Sequence, residues 1–327
     1  MSWKTGPSSD LHRSRLIVLV LSLLGAALGA PPEAVGAEPA TPTVVASPSA
    51  DYPWPMRFRG QRTPESPHWD LELLYIQSQH DEGVIQTRAK LAKNPSDPEL
   101  YWMLVRFLYE VGERIPRDDK QVDKVKFYED MVDLSNQGLA IDPKHVHLRF
   151  ARGIATARLG TTRGVLSSLF TAKEIEDDWL YVAGSDYTYA TPQGEEVLPC
   201  DAHEALGVFY RLVPDWWIVS VLSGTRGSLS KSIHHHELAN QCSGGRIIRE
   251  RKELAVSQIC FGQHNHDDAM IQSGVENLKF LLTLPPVSDT DRVDVKHAHM
   301  LLKDLSLACE YSRDGQQDID ESALPSK

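Results

Sequence analysis

Apolar residues recur every three or four positions through most of the chain after residue 68, which is the spacing of amphipathic helices. Proline follows a polar residue at Asn94-Pro95 and at Asp142-Pro143, where it ends one helix and suits the first turn of the next. The predicted helices are residues 69–80, 83–94, 98–111, one that ends at 142, 146–159, 163–175, 201–212, 246–261, 269–284 and 295–309.

The clearest unit covers residues 135–177. Gly153 is predicted to let a partner helix approach closely, and Gly160 to cap the end of helix 146–159. Thr161 and Thr162 are then placed to cap the next helix. Val165, Leu169 and Ala172 are predicted to form an apolar stripe on one face of that helix.

The spacing of the breaks repeats along the chain. Gly112 follows Pro95 by 17 positions, as Gly160 follows Pro143, and Asp177 follows Pro143 by 34. Pro143 follows Pro95 by 48 positions, which places an insertion of 14 in the charged residues 113–126. A period near 34 indicates stacked pairs of helices. We therefore predict an all-α array of helix-turn-helix repeats, a right-handed α-solenoid.

Two segments depart from this regularity. Residues 179–199 are aromatic and rich in turns, and we predict a long connection that either contacts a ligand as a lid or caps the array. Residues 216–222 are the most apolar stretch after residue 37, which predicts a helix buried in the core rather than a membrane segment.

The N-terminus has the layout of a secretory signal. Lys4, Arg13 and Arg15 precede an apolar run at residues 16–30, and small residues favour cleavage after Ala37. Retention of this run as an anchor is the alternative. We predict a signal peptide at 1–37, a flexible linker at 38–67, a helical domain at 68–311 and a disordered tail at 312–327. The protein would be periplasmic or secreted, with no stable membrane span after cleavage.

Composition narrows the class of partner. Across 327 residues there are 34 basic and 45 acidic side chains, a formal charge of −11, and no block of lysine and arginine occurs. Nucleic-acid binding depends on neutralising phosphates, so this balance argues against it.

The four cysteines all lie in the second half of the chain. An even number in an exported protein favours one or two disulfides, and three pairings are possible. Buried free thiols are the other interpretation. The candidates are Cys200, Cys242, Cys260 and Cys309.

Three short segments carry a family resemblance: residues 202–207 (AHEALG), 259–262 (ICFG) and 274–278 (GVENL). With the repeat spacing, they make the sequence resemble tetratricopeptide-like proteins. The second half is similar to the regulator-of-microtubule-dynamics group and to the bacterial T component of TRAP transporters. The resemblance spans about residues 69–308 and implies a helical interaction platform, without catalytic residues. No cysteine precedes Cys200, so this chain lacks the lipid-acceptor cysteine of the transporter component.

Histidine is the residue type that most suggests chemistry, with 13 in the chain. His264, His266 and Asp268 resemble the metal motif of metallo-β-lactamase-like hydrolases, but Ala269 stands where a further histidine is needed. Two histidines two positions apart point to different faces of a helix, so only a loop would let them chelate together. These residues give a second hypothesis, a metal-dependent hydrolase, against solvated surface histidines.

The sequence contains no serine-nucleophile elbow, phosphate loop, H-E-x-x-H or C-x-x-C motif. We therefore predict a non-enzymatic scaffold or adaptor that binds a protein segment on a concave surface, without a cofactor. A small-molecule-binding protein of a transport system is the alternative. The predicted binding residues are Trp102, Arg106, Arg149, Arg152, Tyr210 and Arg211.

Overall fold

Helices make up almost all of the regular structure in the computed structural model, which describes residues 62–115, 119–164, 169–191, 196–286 and 289–312. The predicted signal run, the Ala37 cleavage position, most of the linker and nearly all of the tail lie outside the described residues. No helix in the described ranges combines the length and the apolar content that a bilayer crossing requires.

The described chain is all-α with one two-stranded ribbon. The helices are α1 (Trp69–Ile76), α2 (His80–Lys93), α3 (Pro98–Glu113), α4 (Lys124–Ile141), α5 (Val146–Arg163), α6 (Ala172–Ala183), α7 (Cys200–Leu212), α8 (Trp217–Ser223), α9 (Leu229–Ser243), α10 (Ile248–Asn265), α11 (Asp268–Leu281) and α12 (Asp289–Lys303). Strand β1 (Tyr189–Ala190) pairs antiparallel with β2 (Val197–Leu198). Short 3₁₀ turns cover Leu169–Thr171 and Leu305–Ala308.

Several helices begin at residues whose side chains cap free backbone N–H groups. The Asp97 carboxylate accepts from Glu99 N, with Pro98 at the first helical position. Asp123, Ser228 and Asp267 accept in the same way at the starts of α4, α9 and α11. The predicted insertion at 113–126 lies between helices, since α3 ends at Glu113 and α4 begins at Lys124.

Neighbouring helices in the chain pack on one another from α1 to α7, and then α7 packs on α9, α9 on α10 and α10 on α11. In addition α3 packs on α5, α7 on α10 and α10 on α12. The first helices of two pairs of successive hairpins, α3 with α5 and α7 with α10, therefore adjoin each other.

Two glycines allow close approaches between helices, and the sequence predicted the one at Gly153. A Cβ at Gly153 would lie 2.3 Å from Nε1 of Trp179, so α6 packs directly on the backbone of α5. A Cβ at Gly207 would lie 2.5 Å from the His236 ring, and α9 meets α7 in the same way. The role predicted for Gly153 is confirmed.

The predicted end of α5 is wrong. Gly160 is a buried residue inside the helix, which runs on to Arg163 and is capped by Gly164 at φ 100°. Thr161 and Thr162 do not cap the next helix; their hydroxyls donate to the carbonyl of Arg158 one turn back. The threonines thus satisfy the end of α5 rather than the start of α6.

The next helix is also displaced from its predicted place. α6 covers Ala172–Ala183 instead of 163–175, and residues 169–171 form a 3₁₀ turn. Val165 lies outside the described residues. The apolar face of α6 is instead formed by Ala172, Ile175, Trp179 and Val182, all buried.

The prediction of a buried helix at 216–222 is wrong as well. In α8 Val219 is buried, but Trp216, Trp217 and Val221 are 63%, 65% and 71% exposed. A seven-residue helix has about two turns, so only one of its sides can face the 3₁₀ turn against which it packs.

Helix α9 lies in a segment, 223–245, whose polar character gave no helix prediction. Its buried face is polar: Ser232, His236, Asn240 and Ser243 are buried at helical spacing. Ser232 Oγ donates to Gly207 O at 2.7 Å, and Asn240 Nδ2 donates to Glu250 O at 3.2 Å. Hydrogen bonds therefore hold Ser232, Asn240 and Ser243 in this interface, whereas the ring of His236 packs over Gly207.

The distances between the cysteine sulfurs identify the two disulfide pairs. The sulfurs of Cys200 and Cys242 lie 2.12 Å apart, and those of Cys260 and Cys309 lie 2.20 Å apart. The first bridge joins the start of α7 to the end of α9, and the second joins α10 to the 3₁₀ turn after α12. All four cysteines are therefore paired.

Candidate functional site

A cavity of about 310 Å³, here called the inner cavity, lies among α3, α5, α6, α7 and α10. The cavity lies between α5 and α7, and α6 packs on both of these helices. Partly exposed apolar side chains of α5 and α7 line it and leave it accessible. They are Ile154, Ala157, Ala205 and Val208.

Aromatic side chains form one wall. Trp102 of α3 is buried and stacks on His147 of α5, with ring centroids 3.9 Å apart. Phe150, Trp179 and Phe209 continue this wall, the last two in edge contact at 6.2 Å. Rigid rings of this kind present contact area at little conformational cost.

Arg106 closes the end of the cavity near α1. Its guanidinium donates to Glu72 at 2.9 Å and to the Tyr189 hydroxyl at 2.8 Å, and its Nε lies 3.0 Å from Glu196. The same group lies 3.4 Å from the centre of the Tyr75 ring. Burial disfavours the cation, but these neighbours outweigh it and raise the pKa of Arg106 well above its ordinary value. Arg106 therefore joins α1, α3 and the ribbon.

His147 and Glu196 link α5 to the ribbon through a contact of 2.7 Å between Nδ1 and Oε1. Burial lowers the pKa of His147, although Glu196 opposes this. Burial would raise the pKa of Glu196, but the charge of Arg106 and the hydrogen bond to His147 hold it below its ordinary value. At neutral pH the pair is thus a carboxylate beside a neutral imidazole.

Where α7 meets α10 in the cavity lining, one guanidinium contacts two carboxylates. Arg249 of α10 lies 3.3 Å from Asp201 and 3.2 Å from Glu204, both on α7. Burial raises the pKa of Asp201 to about 7 against the opposing charge of Arg249. Burial likewise raises the pKa of Glu204. This side of the cavity therefore places two carboxyl groups with raised pKa values beside one guanidinium, and a further positive charge there would favour their ionised forms.

Arg211 completes the polar lining. It donates to Glu253 at 2.6 Å and to the Tyr311 carbonyl at 2.5 Å, and its side chain is 1% exposed. The charges of Lys252 and Arg211 outweigh burial and hold the pKa of Glu253 at about 2. Like Arg106, Arg211 joins elements of the fold and borders the cavity.

The structure divides the six predicted binding residues. Trp102, Arg106 and Arg211 all line the inner cavity. Arg149 and Arg152 instead bind Asp178 at 3.0 and 2.7 Å, and so join α5 to α6 outside the cavity lining.

Tyr210, the sixth, is buried and donates to Glu176 of α6 at 2.5 Å. It packs between α7 and α6 instead of facing a partner. Its hydroxyl is therefore engaged inside the fold and does not line the inner cavity.

The residues of the hydrolase hypothesis lie at the end of α10 and the start of α11. His264, His266 and Asp268 are all exposed, and His266 has a left-handed backbone at φ 55°. In the described ranges the one group of three metal-type side chains within reach of a common ion is Cys260, His264 and Cys309. Its two sulfurs form a disulfide, so they are not thiolate ligands.

Sequence reasoning missed Asp201, Glu204 and Arg249. Asp201 and Glu204 are three positions apart on one helix, which places both carboxylates on the same face. That spacing was visible, but the guanidinium between them comes from α10, 48 residues after Asp201. The 179–199 connection also proves to be partly structural, because Tyr189 is buried and donates to Glu72 at 2.5 Å.

Comparison with known proteins identifies no family for this chain. No protein-family model matches the chain, and no curated protein matches it. Among solved structures, one named MamA RS-1 ArsTM double mutant is similar, with 13% identity and a TM-score of 0.39, over 64% of this chain and 91% of that chain. A similarity at this score does not establish a shared function.

Proposed function

We propose that this protein is a binding protein, a scaffold or adaptor whose inner cavity holds an apolar segment of a partner protein. The observation that carries the proposal is the cavity itself: about 310 Å³, with aromatic and aliphatic walls and a few fixed polar groups. Cavities with this lining are typical of binding sites. The proposal includes no catalytic step, and none is assigned to His264, His266 and Asp268.

The rigidity of the lining supports this role. Trp102 is stacked on His147, and Arg106, Arg211 and Arg249 are each held by carboxylates. Side chains that are already ordered lose little entropy on binding, so more of the contact energy appears as affinity.

We further propose that the helices form a tetratricopeptide-like right-handed array. The 34-position spacing from Pro143 to Asp177 supports it, as does the packing of α3 on α5 and of α7 on α10. The close helix approaches at Gly153 and Gly207 fit the small residues that such repeats use.

The charge at the Arg249 end suggests the type of segment. Asp201 and Glu204 face a single guanidinium, so a lysine or arginine side chain would supply the second positive charge. We propose that the bound segment presents an apolar side chain to Ile154, Ala157, Ala205 and Val208 and a basic one to this acidic end.

We place the protein in the periplasm or outside the cell. Two disulfides support an oxidising compartment, since cytosolic proteins rarely keep them. The basic residues followed by the apolar run at 16–30 support export.

A blocked cavity tests the binding role. Ala205→Trp places an indole in the inner cavity, and Ala269→Trp makes the same change at an exposed site on α11. Tag-free protein would be used to capture partners from the native cell envelope, with mass spectrometry and circular dichroism of each variant. We expect a stoichiometric protein to be captured by the native chain and by Ala269→Trp, and lost with folded Ala205→Trp. Equal capture by both variants would contradict the proposal.

A small-molecule ligand is the second candidate, because a volume near 310 Å³ also suits a compact metabolite. Native mass spectrometry of the purified chain distinguishes the two. A bound small molecule that Ala205→Trp displaces, without a protein partner, would favour a carrier in a transport system.

A further inference from the structure

The last residue that the structure describes lies at the inner cavity. This residue, Ser312, belongs to the cavity lining. The residue before it is fixed in the fold, because the Tyr311 side chain is buried and its carbonyl accepts from Arg211 at 2.5 Å. The Tyr311 hydroxyl lies 2.9 Å from Nδ1 of His297. The chain therefore continues into residues 313–327 from a point on the cavity wall.

The sequence of this segment, here called the tail, divides into an acidic part and a nearly uncharged part. Residues 313–321 (RDGQQDIDE) contain four acidic side chains and one basic side chain. Residues 322–327 (SALPSK) contain no acidic side chain, and their one charged side chain is Lys327, three positions after Leu324. The second part therefore combines one large apolar side chain with one cation.

The inner cavity offers a matching surface to each of these two side chains. Partly exposed aliphatic groups, among them Ile154 of α5 and Val208 of α7, form its accessible wall. Where α7 meets α10, Asp201 and Glu204 share the single guanidinium of Arg249. An aliphatic side chain would leave water on contact with the wall, and a lysine ammonium beside the two acidic groups would favour their ionised forms.

The tail is long enough to return to the cavity. Twelve positions separate Ser312 from Leu324, and an extended chain covers about 3.5 Å per residue, so Leu324 can reach any point within about 40 Å of Ser312. A tether of this length holds its far part at an effective concentration on the order of 1 mM. A separate molecule would need a similar concentration in solution to compete equally for the cavity.

We propose that residues 322–327 bind in the inner cavity of their own chain. Leu324 packs against the aliphatic wall, and Lys327 lies beside Asp201 and Glu204. This inference rests on the proposed function, because the tail has the two features proposed for the partner segment and takes the same place. The tail is thus an internal competitor that the partner must displace.

The strength of this competition follows from the tether. For a tail that binds with a dissociation constant of about 0.1 mM, an effective concentration of about 1 mM leaves roughly one cavity in ten open. The apparent affinity for any other segment then falls about tenfold, because only the open form of the chain can bind it.

A fluorescent peptide with the sequence of residues 313–327 measures how accessible the cavity is. Fluorescence anisotropy would follow its binding to the native full chain, to Leu324→Asp, to Val221→Asp, and to Leu324→Asp combined with Ala205→Trp. Val221→Asp is the matched control, since it replaces an aliphatic side chain with aspartate at an exposed site on α8. We expect Leu324→Asp to bind the peptide about ten times more tightly than the native chain and Val221→Asp do. The combined variant should not bind it, because the indole fills the cavity.

Circular dichroism would establish that all four proteins are folded. The proposal is overturned if the native chain and Leu324→Asp bind the peptide equally, if no protein binds it, or if Ala205→Trp leaves the binding unchanged. Analytical ultracentrifugation distinguishes binding within one chain from exchange between two chains. A native dimer that Leu324→Asp abolishes would place the tail in a second copy and overturn the proposal.

Capture of partners from the native cell envelope separates this proposal from the proposed function. If both are correct, Leu324→Asp captures more of the partner protein than the native chain does. Equal capture by the two chains, with equal peptide binding, would contradict the role of the tail and leave the binding function intact. Peptide affinities in the expected order, without capture of any protein, would support the tail and contradict the partner.

Discussion

The indole of Trp179 lies directly against the backbone of Gly153, so that a Cβ at position 153 would be 2.3 Å from Nε1. The same Nε1 donates to Phe150 O at 3.3 Å. This contact brings α6 onto α5 and positions Trp179 and Phe150 as neighbours in the wall of the inner cavity.

Gly153→Ala should lower the free energy of unfolding by about 1–3 kcal/mol, because a methyl group at this place requires the helices to separate. Gly184→Ala is the matched control, since its Cβ would meet nothing nearer than Leu180 O at 3.3 Å. Urea denaturation of both variants measures the difference. Equal stability of the two would show that the α5–α6 contact yields easily.

Gly207 and His236 should show energetic coupling. The His236 ring fills the space over Gly207, and its nitrogens have no hydrogen-bond partner within the described residues. Gly207→Ala alone should destabilise the chain, and His236→Ala should relieve that clash. In a double-mutant cycle, we expect the double variant to lose less unfolding free energy than the sum of the losses in the two single variants. The difference should be about 1 kcal/mol or more.

The control for this cycle combines His236→Ala with Gly184→Ala, which are in separate parts of the fold. Their effects should add within about 0.5 kcal/mol. Additive effects for Gly207 and His236 would contradict the close approach of α7 and α9.

Reduction should destabilise the chain through both bridges. Cys200–Cys242 and Cys260–Cys309 join residues 42 and 49 positions apart. Closing loops of this length is worth about 4 kcal/mol each in the chain-entropy model. Thermal unfolding with and without a reductant measures the loss, and peptide mapping under non-reducing conditions identifies the pairs. Detection of any other pairing in the folded protein would contradict the structure.

The Asp201 carboxyl should make stability depend on pH. Its pKa rises from an ordinary 3.8 to about 7 on folding, mainly through burial. Between these values the folded state holds a proton that the unfolded state releases, so this group costs stability as the pH rises from about 4 to 7. Asp201→Asn removes this titration, and its amide oxygen can still accept from Val197 N.

The unfolding free energy of Asp201→Asn minus that of the native chain should therefore increase between pH 5 and pH 8. This increase cannot exceed about 1.4 kcal/mol for each unit by which folding raises the pKa of Asp201. Urea denaturation at several pH values gives the comparison. A difference that stays constant with pH would show that Asp201 is ionised in the folded protein throughout.

The sequence by itself determined the class of fold and the positions of many helices. Proline at 95 and 143 ended helices, and the apolar spacing placed α3 and α7 within about two residues. These features are local, because helix geometry and proline chemistry act over a few residues. The need for a small residue at Gly153 could also be read, although its partner Trp179 could not.

Tertiary structure decided what depends on residues distant in the chain. The buried face of α9 is largely polar, and its hydrogen bonds to α7 and α10, with the packing of His236 over Gly207, explain why it is inside. The pairing of cysteines, the meeting of Arg249 with Asp201 and the facing of His203 by His235 likewise join separate helices. Helical periodicity gives the face on which a side chain lies, but only packing determines which side chain it meets.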